Sequence, residues 1–561
     1  MGHLQGQAPI SISSTITNLT AQCLSSSLPA PDLFGAEILS VTSSLVLDYT
    51  ASFLPPSFFN SEPPLYGETT NLSFCNVSVA YTHPGQNDTI NVSVWLPISA
   101  SDSTTTSTNI DSPTTSPSWN GLFLSFGGGG WRTCLPDEYV SAPLVQGYAV
   151  SRTDGGHAPD SEVDSWALNS PGNVNLYLLQ DFASVALHDM AVIGKSIVQS
   201  FYSRPPRNSY FQGCSTGGRQ GLMHAQRYPN DYDGILAAAP AIYWPKLLVS
   251  HHWPHVVMAE LKAYPHPCEL DAITAAAIKE CDHLDGVTDG VISAPNLCAF
   301  DPSSMIGRAI PCTEITTGTL TITRAAAQVA SAIWRGPVDT RNNTLWHGFS
   351  KSTPLSALAQ TKCHKNGTCT RASNASTTLD WIRLFLHKDP TLTQEELVQR
   401  IDRAEFTRLF HQSDQLYRSI IATDDVDLSA FAARGGKMIT WHGMTDEAIM
   451  PGQTQTYYDK VLPYAAETHD NVSVADYYRL FLAPGVDHCG GGVGALPINV
   501  MAKLRAWVED GVPPETLDAE SFSRPGGDKI RRPLCMYPLV ARYNGHGDPR
   551  EVENYECANS C

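Results

Sequence analysis

Gly213-Cys214-Ser215-Thr216-Gly217 has the spacing G-x-S-x-G, in which the glycines permit a turn too cramped for side chains and the serine hydroxyl is lifted clear of it. A serine hydroxyl is a poor nucleophile at neutral pH. It needs an imidazole to take its proton and a carboxylate to orient that imidazole. Two downstream stretches offer these groups in the chain order that such an elbow uses, Ser, then Asp or Glu, then His. Thr440-Trp-His-Gly-Met-Thr-Asp-Glu-Ala-Ile-Met-Pro451 puts Asp446 just past an expected strand, and Ala483-Pro-Gly-Val-Asp-His488-Cys489 puts His488 just past the next. Glu447 and Asp487 are the alternative acids, and Asp487 is the poorer one because consecutive residues rarely fold back to join side chain to ring. The developing oxyanion needs two N–H donors. Thr216, directly after the nucleophile, supplies one, and Gly128 or Gly129 in the run Gly127 to Gly130 is the candidate for the other. Taken singly, each stretch is only a polar turn at a strand end; three in the right order read as acyl hydrolysis.

The elements that must carry these residues are legible around them. Ser209-Tyr-Phe-Gln reads as a strand running into the elbow and Gly218 to Arg227 as a helix leaving it. Leu122 to Phe126 and Tyr148 to Val150 read as short buried strands, residues 183 to 203 as an amphipathic helix, Lys437 to Trp441 and Tyr478 to Leu482 as further strands, and Val500 to Val508 as a helix. The alternation predicts an α/β fold with a parallel sheet, edged by antiparallel strands from residues 70 to 100. Ser101 to Ser118, almost wholly Ser, Thr, Asp and Pro, cannot bury apolar area and reads as a loop. After Pro240 the character changes to helices, local cysteine pairs and Asp-Gly turns. Residues 1–240 and 425–561 are therefore expected to form one discontinuous unit interrupted by 241–424.

Composition narrows the class. With 36 Lys and Arg against 55 Asp and Glu, the net charge is −19, which disfavours nucleic acid and anionic membranes as partners. Hydrophobic residues make up 42% of the 561 and charged ones 16%, as in folded globular proteins, and no apolar run approaches a membrane span. Fourteen cysteines stand beside nine Asn-X-Ser/Thr acceptors, at Asn18, Asn71, Asn76, Asn87, Asn91, Asn342, Asn366, Asn374 and Asn471. Together they point to a secreted, oxidised glycoprotein. The polar start, Met-Gly-His-Leu-Gln-Gly, reads as a chain whose signal peptide has been removed. Self-association into a homo-oligomer stays open.

Cys214 precedes the nucleophile and Cys489 follows the histidine. If Ser215 and His488 meet, the Cα atoms of these cysteines come within the range of about 4.4 to 6.8 Å that a disulfide spans. That bridge would tie base to nucleophile. It would close a loop worth on the order of 5 kcal/mol at most in the chain-entropy model.

With cysteines abutting both Ser and His, Gly-Cys-Ser-X-Gly-Gly and the late His-Cys resemble the tannase and fungal feruloyl esterase family of secreted serine esterases. The resemblance extends through the Cys75 to His83 strand, the Gly127 to Gly130 loop, Tyr264-Pro-His-Pro-Cys268-Glu-Leu and Cys281-Asp-His-Leu-Asp-Gly-Val-Thr-Asp-Gly-Val-Ile292. It is closest to the tannase branch. It implies an α/β-hydrolase fold with a lid inserted between nucleophile and triad acid, and hydrolysis of galloyl esters to gallic acid through an acyl-enzyme. The alternatives are a feruloyl esterase and a non-catalytic binding glycoprotein on the same scaffold.

Asp282, Asp285 and Asp289 bring three carboxylates into a tight loop in which the carbonyls of Val287 and Val291 could complete a hard-oxygen shell. From the residues alone a solvated acidic turn is the rival reading; the resemblance implies structural Ca²⁺ in the lid. It also suggests pairing of Cys281 with Cys298, Cys363 with Cys369, Cys268 with Cys312, Cys23 with Cys75, and Cys535 with Cys557 or Cys561, leaving Cys134 without a partner. A small phenolic ester is the expected substrate, with Tyr243, Trp244, His251, His252, Trp253 and Glu447 as candidate contacts. Each of the lid residues among them is more simply read as core or interface packing, and neither gallate nor ferulate is preferred on physical grounds.

Overall fold

The computed structural model describes residues 21, 23–53, 67–98, 118–158, 160–372, 377–468, 472–522 and 529–559. The stretch 101–117, the sequons at Asn18, Asn374 and Asn471, the polar start and Cys561 lie outside the described residues.

A central sheet of nine strands holds the chain: β1 (Glu37–Phe53), β2 (Gly67–Thr82), β3 (Ile90–Pro97), β4 (Leu122–Phe126), β5 (Ala149–Thr153), β6 (Asn208–Cys214), β7 (Gly234–Ala238), β8 (Lys437–Gly443) and β9 (Tyr478–Ala483). Their spatial order is β1-β2-β3-β5-β4-β6-β7-β8-β9. β1, β2, β3 and β5 pair antiparallel; β5, β4, β6, β7, β8 and β9 pair parallel. The continuous apolar runs sit where helices cover both faces, so β4 and β7 are buried at every residue. The sequence placed the antiparallel edge at residues 70 to 100. The structure adds β1 outside it, a Ser- and Thr-rich strand that has no neighbour on its outer edge among the described residues.

Helices α1 (Leu176–Ala183), α2 (Val185–Tyr202) and α3 (Thr216–Arg227) follow β5 and β6. α2 buries Leu187, Met190, Ile193 and Ile197 at helical spacing against the sheet. Between β7 and β8 the sheet is interrupted by nearly two hundred residues, including α4 (Pro267–Cys281), α5 (Arg324–Arg335), a π-helical segment at Trp381–His387 and α6 (Arg403–Ile421). Three disulfides, Cys268–Cys312, Cys281–Cys298 and Cys363–Cys369, tie this stretch internally. Its core is shared with its surroundings: Trp381, Phe385 and Phe406 belong to one buried cluster with Trp166, Phe182, Ile449 and Met450. After β8 come α7 (Pro451–Thr468), then β9 and α8 (Val500–Asp510), and the antiparallel strands β10 (Thr516–Glu520) and β11 (Arg531–Cys535). Cys23–Cys75 and Cys535–Cys557 are bridged, and Cys134 is free and buried. No single described helix is long and apolar enough to cross a membrane.

Candidate active site

β6 ends at Cys214 and α3 begins at Thr216, so Ser215 occupies the turn alone, at φ 63° and ψ −120°. Such a conformation is strained for a residue with a side chain. The turn closes because its neighbours are glycines. A Cβ on Gly213 would lie 2.4 Å from the backbone of Gly217, and one on Gly217 would lie 2.9 Å from the Gly128 carbonyl oxygen.

That second contact shows what the four-glycine run does. Gly217 N–H donates to Gly128 O at 3.0 Å and the Thr216 hydroxyl to Gly130 O at 2.7 Å, so the loop is docked on the first turn of α3. One turn further on, Gln220 clamps it from below: its Oε1 accepts from Gly128 N–H at 2.9 Å and its amide donates to Thr133 O at 3.3 Å. Of the two donor candidates in this run, Gly128 N–H is therefore already hydrogen-bonded, to Gln220. Gly129 has open space where a side chain would stand, and Thr216 N–H, first in its helix, has no intrahelical acceptor.

At the other side, His488 Nδ1 lies 2.8 Å from Asp446 Oδ2, which leaves Nε2 as the ring's base. Asp446 is completely buried. Its Oδ1 accepts from the N–H groups of Ala448 and Ile449 at 2.8 and 2.7 Å. Its Oδ2 is also 3.1 Å from His442 Nε2, which lies equally 3.1 Å from the Ile449 carbonyl. Facing two acceptors, that nitrogen must carry the proton, while His442 Nδ1 accepts from Thr454 Oγ1 at 2.8 Å. His442 was not singled out from the sequence, although it stands four residues before Asp446 in the same motif. Asp487, the rival acid, is turned away and accepts from the Thr445 hydroxyl at 2.8 Å. Glu447 accepts from the His488 backbone N–H at 3.2 Å.

Burial alone would raise the Asp446 carboxyl, but the His488 charge and the hydrogen bonds from His442 and His488 hold it far below the usual range. For His488, burial works against the charged form, yet the Asp446 charge and hydrogen bond, with Glu447 behind them, raise it above its ordinary value. Cys214 and Cys489 are bonded, with Cα atoms 6.0 Å apart, so the segments carrying Ser215 and His488 are covalently joined.

Of the candidate substrate contacts, His251 reaches the Asp446 loop, its Nε2 against the Ala448 carbonyl. Trp244 joins an aromatic group around Trp131, whose ring centre is 5.3 Å from Trp244, 5.7 Å from Trp166 and 5.4 Å from Phe385. His157 stacks flat on Trp166 at 4.5 Å. The ring nitrogens of Trp131, Trp166, Trp244 and His157 have no partner among the described residues. Of these, Trp244 was a candidate from the sequence. Tyr243, Trp244, His252 and Trp253 are all buried, Tyr243 against Trp346 and Trp253 against Phe406. A separate cavity of about 500 Å³, lined by Asn91, Arg132, Cys134, Arg152 and Asp154 among others, contains none of the triad residues.

In the acidic loop Asp282 accepts from the N–H groups of Asp289, Gly290 and Val291, and Asp285 from Val287. Arg532 of β11 reaches in, its guanidinium on Asp289 and 4.0 Å from Asp285. The five expected ligands offer only carboxylate and carbonyl oxygen, a donor set that suits a hard divalent cation. Their oxygens keep lone pairs beyond the hydrogen bonds they accept.

Residues 99–558 match the family model described as tannase and feruloyl esterase. A protein of Arthroderma benhamiae named "Probable feruloyl esterase" is 40% identical, with 95% of this chain and 93% of that one aligned. The tannase of Aspergillus oryzae is 28% identical over 88% of each. Among solved structures, the tannin acyl hydrolase of Aspergillus niger superposes with a TM-score of 0.81 at 27% identity, covering 96% of this chain and 95% of that one.

Proposed function

Since the chain belongs to the tannase and feruloyl esterase family and is a carboxylic ester hydrolase acting on phenolic esters, we propose that Ser215 is its nucleophile, His488 its general base and Asp446 the acid that orients the base. In this reading Ser215 Oγ attacks the ester carbonyl while His488 Nε2 takes the hydroxyl proton. Thr216 and Gly129 N–H groups receive the oxyanion. His488 then returns the proton to the leaving alcohol, and water hydrolyses the acyl-enzyme by the same steps in reverse roles. The observation that carries the assignment is the 2.8 Å contact between His488 Nδ1 and a fully buried Asp446, on a loop disulfide-bonded to the elbow. Labelling by a fluorophosphonate, lost in Ser215→Ala, tests it; a Ser215→Ala protein that still labels at one equivalent moves the nucleophile elsewhere, and a wild type that does not label returns the reading to a non-catalytic scaffold.

Within the family we assign hydroxycinnamoyl esters, of the ferulate type, as the preferred substrates. The support is the 40% relative over nearly the whole chain and the apolar aromatic wall around Trp131, which suits a methoxylated ring. Galloyl esters are the second reading, supported by the likeness to the tannin acyl hydrolase. Comparing kcat/KM for methyl ferulate and methyl gallate decides between them. The stretch 241–424 serves as a lid over the acyl site. Asp282, Asp285 and Asp289, with the carbonyls of Val287 and Val291, would hold structural Ca²⁺, which neutralises their charge. Six disulfides support an extracellular location.

A further inference from the structure

A second cluster of ionisable side chains lies where the turn between β2 and β3 meets α1 and α2, at the sheet edge onto which β5 and β4 also run out. The turn between β2 and β3 carries His83 and Asp88, α1 carries Asp181 and α2 carries Asp189. All four are at least nine-tenths buried. His83 Nδ1 is 2.6 Å from Asp88 Oδ2 and its Nε2 is 3.3 Å from Asp189 Oδ2, which also accepts from the Tyr81 hydroxyl at 2.9 Å. Asp88 Oδ1 accepts from the Thr82 hydroxyl and the His83 N–H. Against these satisfied groups Asp181 is anomalous. It is 0% exposed, and neither of its carboxylate oxygens has a hydrogen-bond partner among the described residues. One ligand atom each from His83, Asp88 and Asp181 all lie within 4.8 Å of one another.

A buried carboxylate without a donor is costly, and buried charges are normally paired or bound to metal. Here three carboxylates face one imidazole. A proton on Asp181 would leave its own O–H without an acceptor, whereas a cation satisfies all of them at once. We propose that His83, Asp88 and Asp181 bind one divalent cation of the kind that takes imidazole together with carboxylate, Zn²⁺ being the best match. The site is distinct in chemistry from the all-oxygen acidic loop. On binding, one His83 ring nitrogen gives its proton to solvent and its lone pair to the metal. The ion would pin the β2–β3 turn to α1.

The full-length protein, stripped by chelator and kept in excess Ca²⁺, is dialysed against Zn²⁺ and its metal content measured. The wild type is expected to take up one equivalent with a rise in thermal midpoint. Asp181→Asn, nearly isosteric and outside the catalytic machinery, should hydrolyse methyl ferulate normally but bind Zn²⁺ about 10- to 100-fold more weakly with no thermal response. Asp88→Asn is read in the same way should Asp181→Asn fold poorly. Calorimetry in buffers of different ionisation heat should register proton release in the wild type only. Equal Zn²⁺ uptake by wild type and variants, or none by the wild type at millimolar Zn²⁺, overturns the proposal in favour of a buried water.

Discussion

Asp446 receives four donors on its two oxygens, and two of them are histidines. Removing His442 should therefore loosen the carboxylate without touching substrate. His442→Gln is expected to lower kcat by about 10- to 100-fold, the rate equivalent of one hydrogen bond to a charged group at about 1.5 to 3 kcal/mol, with KM little changed. His488 is raised above its ordinary value near 6.5, and only its neutral form can accept the serine proton. The kcat/KM profile should thus climb with pH through an inflection above 6.5, and Glu447→Gln, which removes one of the charges raising His488, should move that inflection down. An unmoved inflection would detach Glu447 from the base. At this scale Ser215, Asp446 and His488 were legible because their types, order and strand-end positions are set by the chemistry. His442 was not, because a histidine beside a strand end is recognisable as a partner only once its ring is known to point beneath the carboxylate.

Between elements, the same logic applies to the glycine run. The sequence marked Gly128 and Gly129 alike, since both lack a side chain and both follow an apolar strand. What separates them is Gln220, ninety-two residues away, and no local pattern encodes that contact. Gln220→Ala should leave the fold intact and lower kcat by up to about 100-fold through displacement of the Gly129 donor, measurable as a kcat effect with nearly constant KM. The Cys214–Cys489 bridge joins β6 to the loop after β9. Cys214→Ala, or reduction, is expected to abolish turnover of methyl ferulate; full turnover after verified reduction would show that packing alone positions His488. Periodicity located β4, β5, β6, β8, β9 and α2, but not β7, a short run buried at every residue with no alternation to read. It missed β1, whose Ser- and Thr-rich pattern has only one side to be read against.

Across the molecule, the stretch between β7 and β8 shares its apolar core with Phe182 and Met450, which a change of composition at Pro240 could not reveal. Nor could the sequence show that Arg532, from the C-terminal strands, is buried on the acidic loop. Arg532 meets two of the carboxylates, Asp285 and Asp289, that the proposed calcium would share. Chelation should lower the thermal midpoint by a few degrees, about 2.7 kcal/mol being at stake when calcium exceeds its Kd a hundredfold, and Asp285→Asn should remove that response.

The bridge beside the triad spans 275 residues. A chain made at roughly 5 to 20 residues per second exposes Cys214 tens of seconds before Cys489 exists, and Cys268, Cys281 and Cys298 emerge in the interval. These three have partners within 44 residues, so local bridges can close first and spare Cys214. The proposed nucleophile and base are consequently locked together late, with only the Cys535–Cys557 bridge built from cysteines made afterwards, and hydrolytic competence arrives only after most of the polypeptide has been made.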